Sequence, residues 1–432
     1  MTALPDERSL RHAVAETPSS SDLLNLVGVA LGGRKNAAAA ATWFQRLLAV
    51  APGSIDGVVN LTFACMQGRK WEASRRWTRK LIALLPGHPL AHYNDGVASL
   101  HLGRFAETAR SSARARAIDP THLDAPYNEA LGRLALGEWQ KGFSLYERRW
   151  EAPSFPIRWR GAPGQRWDGR PAPGKTLLLL AEQGYGDTIQ FVRYAQLAAP
   201  LVGRVLVACP PTLLRLVAAA RGVAQAIDAG TAPTGIDLHL PLLSLPWLFG
   251  TKLSSVPALV PYFDLNAARV GEMARAILPS SLPRVGLCWR GNPAFVDDTG
   301  RSPGLAVMKG ALAVQGIRFV KLVKDDAPGE TTRLDLIDPM DRMHDFFDTA
   351  HLLASLDLII TSDTAVAHLA GALGRPTWLL LSAAADWRWL THRAQSPWYP
   401  TMALFRQSTL GRWTEVSDRI AEALETWLRN RY

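Results

Sequence analysis

The chain has 432 residues, 48% of them apolar and 20% charged, which is the composition of a folded protein long enough for two to four domains and excludes disorder over most of its length. A formal net charge of +10 suits acidic partners such as nucleotide phosphates, nucleic acid, anionic lipid headgroups or an acidic protein, and does not choose among them. Cys65, Cys209 and Cys288 lie far apart without a CxxC, no apolar run approaches the roughly 20 residues of a membrane span, and the first residues carry acids in place of a signal-peptide core. The expectation is therefore a soluble, cytoplasmic protein.

The first predicted elements form a repeat. Pro18, Pro52, Pro86 and Pro120 are 34 residues apart, Trp71, Phe105 and Trp139 keep the same step, and Gly28, Thr62 and Gly96 share a phase. Thirty-four is the tetratricopeptide period, in which a helix pair that cannot bury its own apolar face stacks on its neighbours into a solenoid with a concave groove. In the first repeat, Leu23 to Pro52, the spacing places Leu24, Val27, Gly28 and Leu31 on one helix and Ala40, Phe44 and Leu47 on the next. Residues 121–150 are read as a last, atypical repeat, and 1–150 as one all-α solenoid that recruits a protein partner or serves only folding and dimerisation.

From 151 to 173 the composition turns to Pro, Gly, Trp and Arg without a period, which marks a linker. Trp159 and Trp167 suggest that it packs along the next domain. Strand-like and helical runs then alternate: KTLLLLA, a helix from Gly186 to Ala199, RVLVACP, PTLLRLVAAA and DLHLPLLSLP, over 174–262. After a connection at 263–283, a second series over 284–413 runs RVGLCW, IRFVKLV, a helix from Phe346 to Leu356, LDLIITS, a helix from Thr364 to Leu373, and PTWLLLS. Such alternation predicts two Rossmann-like halves with parallel sheets facing a cleft, ligands binding at the carboxyl ends of the strands. A last amphipathic helix, Thr414–Arg429 within 414–432, is expected to cross back onto the first half.

Several strand ends carry polar residues. In AEQGYGDTIQ, Gln183, Gly184 and Gly186 surround Asp187 at a helix start, where a carboxylate either takes a proton from a hydroxyl or simply caps the helix. Ser362, Asp363, Thr364 and Ala365 open another helix, whose amides either hold a phosphate or are capped by Asp363. Arg290, Asn292 and Arg301 lie in the turn after RVGLCW, where the arginines either neutralise a diphosphate or line a solvated loop. Neither a P-loop nor GxGxxG is present. His368, Trp387 and Trp389 are read as packing residues. Nucleic-acid binding ranks low, with no basic stripe of interleaved aromatics evident in the sequence.

Together the stretches AEQGYGDTIQFVRYAQLAA, PLLSLPWLFGT, RVGLCWRGNP, DTAHLLASLDLIITSDTAVAHLAGALGRP and DWRWLTHRAQSPWYPTMALFRQ resemble the ADP-heptose:lipopolysaccharide heptosyltransferases of GT-B fold, across residues 150 to 428. The resemblance implies metal-independent, inverting transfer from a nucleotide sugar, without a cofactor, with the acceptor on the first half and the donor on the second. It places Asp187 as general base, Asp363 at the donor sugar, Thr364 and the following backbone at the diphosphate, and Arg290 or Arg301 as the basic phosphate ligand. Heptosyltransferases commonly have Gly where this chain has Ala365, so heptose is not implied. Repeats fused to such a domain resemble the bacterial flagellin glycosyltransferases, which implies a protein acceptor, flagellin Ser or Thr, and a nonulosonic-type sugar. The alternatives are a non-catalytic adaptor with a degenerate transferase domain, and a lipopolysaccharide or polysaccharide glycosyltransferase.

Overall fold

A computed structural model of the protein describes residues 7–33, 35–157, 161–277, 281–292, 298–324, 330–331 and 334–431, and divides into two compact units, Met1–Ser154 and Phe155–Tyr432. Trp159 lies outside the described residues.

The first unit is helical: α1 Glu7–Glu16, α2 Ser21–Gly33, α3 Ala37–Val50, α4 Ile55–Gln67, α5 Trp71–Leu84, α6 Pro89–His101, α7 Phe105–Ile118, α8 Asp124–Ala135 and α9 Trp139–Tyr146. The second helix of each pair starts at Ala37, Trp71, Phe105 and Trp139, each 34 residues after the last, so the sequence period is the structural period. Asn36 and Ser54 accept the Ala39 and Gly57 amides and so fix where α3 and α4 begin. The predicted face of the first pair, Leu24, Val27, Gly28, Leu31, Ala40, Phe44 and Leu47, is buried. Gly28 is required there, because a Cβ would lie 2.4 Å from the Phe44 ring. This unit is a tetratricopeptide-type array.

The second unit holds two sheets in which, among the described residues, all neighbouring strands pair in parallel. The first contains β1 Gln165–Arg166, β2 Ala172–Leu180, β3 Val202–Cys209, β4 Gln225–Asp228 and β5 Leu238–Pro241, in the order β1-β5-β2-β3-β4. The second contains β6 Arg284–Cys288, β7 Arg318–Lys321, β8 Leu336–Ile337, β9 Leu358–Ser362, β10 Thr377–Leu381 and β11 Met402–Arg406, in the order β11-β10-β9-β6-β7-β8. Central strands buried on both faces need continuous apolar runs, and Leu177–Leu179 and Leu358–Ile360 supply them. Strand order reverses beside β2, between β3 and β5, and beside β6, between β7 and β9. The crevice outside the carboxyl ends of the strands at such a reversal is where doubly wound sheets take ligands.

Three local details differ from or extend the sequence reading. The segment read as a linker supplies the edge strand β1, and Trp167 is buried there, donating to the Arg170 carbonyl and meeting Phe249 edge-on. The helix expected from Gly186 to Ala199 is broken: an α-helix over Tyr185–Phe191, a 3-10 turn at Val192–Tyr194, one α-turn at Ala195–Ala198 and a 3-10 turn at Ala199–Leu201. The Arg193 side chain takes the Gln190 carbonyl at 2.8 Å, which competes with the helical amide for that acceptor, and Pro200 has no amide to continue an α-helix. The helix Thr414–Arg429 does not cross back. It packs on Leu305–Leu312 and β11 of the second sheet, where Gly310 lets its backbone approach within the reach of Ser417 and Ala421. No helix among the described residues is long and apolar enough to cross a membrane, and all three cysteines are free and buried.

Candidate functional site

At the first reversal, β2 runs into Glu182, whose carboxylate accepts the Leu243 amide at 3.1 Å and ties the strand end to the segment after β5. Gln183 then takes φ +63°, a left-handed conformation that costs a non-glycine residue of order 1–3 kcal/mol. Gly184 is the extended residue before the helix Tyr185–Phe191. Asp187 sits in the first turn of that helix, and its Oδ2 accepts the Gly184 amide at 2.8 Å. Asp187 is therefore not the N-cap residue, which is Gly184, but the third helical residue bonding back to it. Its Oδ1 is bonded to Arg388, which comes from the segment after β10 in the other sheet. Arg388 also donates to Asp386 at 2.8 Å and to Gln190 at 2.9 Å, and its guanidinium lies over the rings of Trp387 and Phe191. Burial pushes the Asp187 carboxyl above the ordinary carboxylate range, while Arg388 and the Gly184 amide pull it back.

At the second reversal, β9 ends in Ser362, Asp363 and Thr364. Thr364, not Asp363, is the residue before the helix Ala365–Ala372, and no side chain among the described residues caps that helix. Its first amides remain free of side-chain acceptors, the condition under which a helix start attracts an anion. Ser362 Oγ is buried with no hydrogen-bond partner among the described residues. Thr364 Oγ1 lies 3.4 Å from Thr361 Oγ1 and 3.8 Å from Cys288 Sγ at the end of β6. Asp363 is pushed up to about 6 by burial and by the nearby Asp386, against the pull of Arg301, the Trp389 indole and Arg388. Arg290 faces Glu330 at 3.8 Å, and Asn292 is exposed. Arg406, at the end of β11, donates to the Trp389 and Leu390 carbonyls, and burial lowers it to about 10 against the pull of Asp363.

The two reversals meet. The helix Tyr185–Phe191 packs directly on Ala365–Ala372, and a Cβ on Gly186 would stand 2.6 Å from His368 Cδ2. At that point the two helices that follow the strand ends are in direct contact. His368 hydrogen-bonds Tyr399 at 2.9 Å and stacks on Trp389. Burial, together with Arg388, Arg193 and Arg301, holds its imidazole well below the ordinary range, so it is neutral. Gln183, Gly184, Gly186 and Asp187 thus lie at one strand end, and Ser362, Asp363, Thr364 and Ala365 at the other, with Arg301 close enough to act on both Asp363 and His368. No group of three or more His, Cys, Asp or Glu placed to hold a metal ion occurs among the described residues.

Sequence reading missed the two arginines that join these strand ends. Arg193 is 1% exposed, donates to the carbonyls of Pro257 and Trp398 and to the Tyr262 hydroxyl, and lies over the Tyr262 and Tyr399 rings. Both had a signal: an arginine inside an apolar helical run, IQFVRYAQL, and one inside DWRWL, are cations surrounded by side chains that exclude water.

No family profile matches the chain. The curated proteins it resembles include Protein FlbA of Caulobacter vibrioides, 27% identical over 317 residues that make up 66% of this chain and 52% of that protein. The chain therefore spans about half the length of that relative. Among solved structures, MamA gives a TM-score of 0.32 at 15% identity over 33% of this chain and 83% of that one, and MamA from Desulfovibrio magneticus RS-1 gives 0.32 at 14% over 33% and 80%. By its own helix pairs and strand pairings, this chain is a tetratricopeptide-type repeat array followed by two parallel sheets.

Proposed function

We propose that the protein is a glycosyltransferase of GT-B type that moves a sugar from a nucleotide-sugar donor to a protein hydroxyl without a metal ion. The observation that carries the proposal is the meeting of two strand-order reversals, one bearing Asp187 and the other an uncapped helix start beside Asp363. In this reading the acceptor hydroxyl oxygen attacks the anomeric carbon, the nucleoside phosphate leaves with the bonding electrons, and the proton passes to Asp187. Asp187 is engaged by one amide and one guanidinium, which occupy two of the roughly four lone-pair positions of a carboxylate. Gln183, Gly184 and Gly186 shape the acceptor side. Ser362, Asp363, Thr364 and Ala365 hold the donor, with Arg290, Asn292 and Arg301 toward its phosphates. The repeat array supplies the acceptor protein, for which flagellin and a nonulosonic-type sugar are the first to try, in the cytoplasm where nucleotide sugars are made.

The test is incubation of the protein with flagellin and a panel of nucleotide sugars, read as a mass increment on the acceptor. Asp187→Asn, checked for folding, should abolish the increment, and normal transfer by this variant overturns the assignment. A rise in melting temperature with CMP, UDP or ADP identifies the nucleotide. One observation favours a second reading, a non-catalytic adaptor: both oxygens of Asp187 already have structural partners. No nucleotide-dependent stabilisation and no mass increment would decide for the adaptor.

A further inference from the structure

The repeat array sorts its charge by helix. The first helices of the pairs, α2, α4, α6 and α8, carry five acids and one arginine, Arg133. The second helices, α3, α5, α7 and α9, carry nine Lys and Arg and two acids, Glu72 and Glu107, both of them ion-paired. The first helices pack on one another, α2 on α4 and α6 on α8, and no pair of second helices packs as closely, so the second helices lie on the outer side of the array.

On that outer side the cations are in register. Arg46, Lys80 and Arg114 are each 34 residues apart, and stacking sets them in one row across three repeats. Arg46 lies 4.4 Å over the Trp43 ring and Lys80 5.4 Å from the Trp77 ring, an i, i+3 pairing repeated in the same phase. One turn further along each helix come Val50, Leu84 and Ile118, also 34 apart, with Val50 46% and Leu84 42% exposed. A row of cations, the first two of them against tryptophan rings, therefore runs beside a row of aliphatic side chains.

We propose that this outer face of the repeat array binds an anionic membrane surface, with Arg46, Lys80 and Arg114 on the lipid headgroups and Val50, Leu84 and Ile118 in the interfacial layer. A bilayer interface satisfies both rows at once, since basic side chains meet its anionic headgroups while aliphatic and indole groups enter the acyl boundary. Nucleic-acid phosphates offer nothing to the aliphatic row. A cation and an aliphatic residue recurring at a fixed repeat suit an extended uniform surface better than the irregular surface of one folded partner. The proposal is independent of the glycosyltransferase reading, and its test needs no sugar donor.

The full chain is floated with phosphatidylcholine vesicles containing about one third phosphatidylglycerol, at low and high salt, and with phosphatidylcholine alone. Binding is expected only to the anionic vesicles and should fall steeply as salt shortens the screening length. At about 1 kcal/mol per basic residue near such a surface, the triple variant Arg46→Glu, Lys80→Glu, Arg114→Glu should partition at least about a hundredfold less. The variant Leu84→Gln, which keeps every charge, should weaken binding by a smaller factor. Absence of binding to anionic vesicles, equal binding to neutral ones, or a triple variant that floats as well as the parent protein would each overturn the proposal.

Discussion

Asp363 is the most informative residue to change. Its carboxyl stands at about 6 in the folded protein, raised from an ordinary 3.8 first by burial and then by Asp386. The folded state therefore holds this proton more tightly than the unfolded chain, and the native state binds more protons between about pH 4 and pH 6. The stability gained from that proton is fully present below about pH 4 and is lost as pH rises through about 6. At 1.36 kcal/mol per pH unit, the carboxylate costs the folded protein about 3 kcal/mol at neutral pH relative to a group that does not titrate. Asp363→Asn keeps the shape and removes the charge. Urea unfolding of parent and variant should show the variant gaining about 2–3 kcal/mol on the parent between pH 4 and pH 7.5. A difference that does not change with pH, or a variant that loses ground as pH rises, would refute the reasoning and show that the Arg301 and Arg388 cations outweigh the burial. If the proposed function holds, the same variant transfers poorly, since a stability gain with loss of activity marks a group kept for a ligand.

The other predictions concern close contacts, two of them between the segments at the strand ends and one within the repeat array. Arg388→Ala leaves Asp187 and Asp386 without their guanidinium, and because the Arg388 side chain is only 7% exposed the loss should be about 2–4 kcal/mol in urea unfolding, part of it recovered by adding Asp187→Asn. Gly186→Ala drives a methyl to 2.6 Å from a His368 ring already fixed by Tyr399, which should cost about 1–3 kcal/mol, whereas Gly53→Ala, with nothing within 4 Å, should be close to neutral. Gly28→Ala meets Phe44 at 2.4 Å and should lower the thermal stability of the chain, read as a lower melting temperature by far-ultraviolet circular dichroism.

The repeat array was legible because its signal is local and periodic: proline and aromatic residues every 34 positions set where each helix starts, and Asn36 and Ser54 cap two of them. The sheets were legible as apolar runs between helices, since parallel strands buried on both faces need little more than Leu, Ile and Val. What could not be read was long-range. That Arg388 reaches Asp187, and that Arg193 ends on the Trp398 carbonyl, depends on residues about 200 positions apart in the chain. The basic row on the repeat array escaped notice for the opposite reason: Arg46, Lys80 and Arg114 look scattered until stacking brings equal phases together.

The two arginines that join the strand ends differ in what their loss exposes. Arg193 is 1% exposed and donates to main-chain carbonyls and a buried tyrosine hydroxyl, so separating its partners would strand a cation and two acceptors away from water. Asp187 is 18% exposed at its side chain, so water replaces Arg388 there at smaller cost. Opening at the contact between the strand ends should therefore begin at Arg388 and pivot on Arg193. Hydrogen exchange reads this directly. In Arg388→Ala the amides of Tyr185–Phe191 should exchange faster by a factor of about ten or more, the rate change that about 1.4 kcal/mol of local stability gives, while those of the segment after Pro257 keep their protection. Equal acceleration at both places would mean that the strand ends come apart as one cooperative unit and that Arg193 is no pivot. Protection unchanged at Tyr185–Phe191 would mean that the contact of Gly186 with His368, and not the ion pair, holds the two strand ends together.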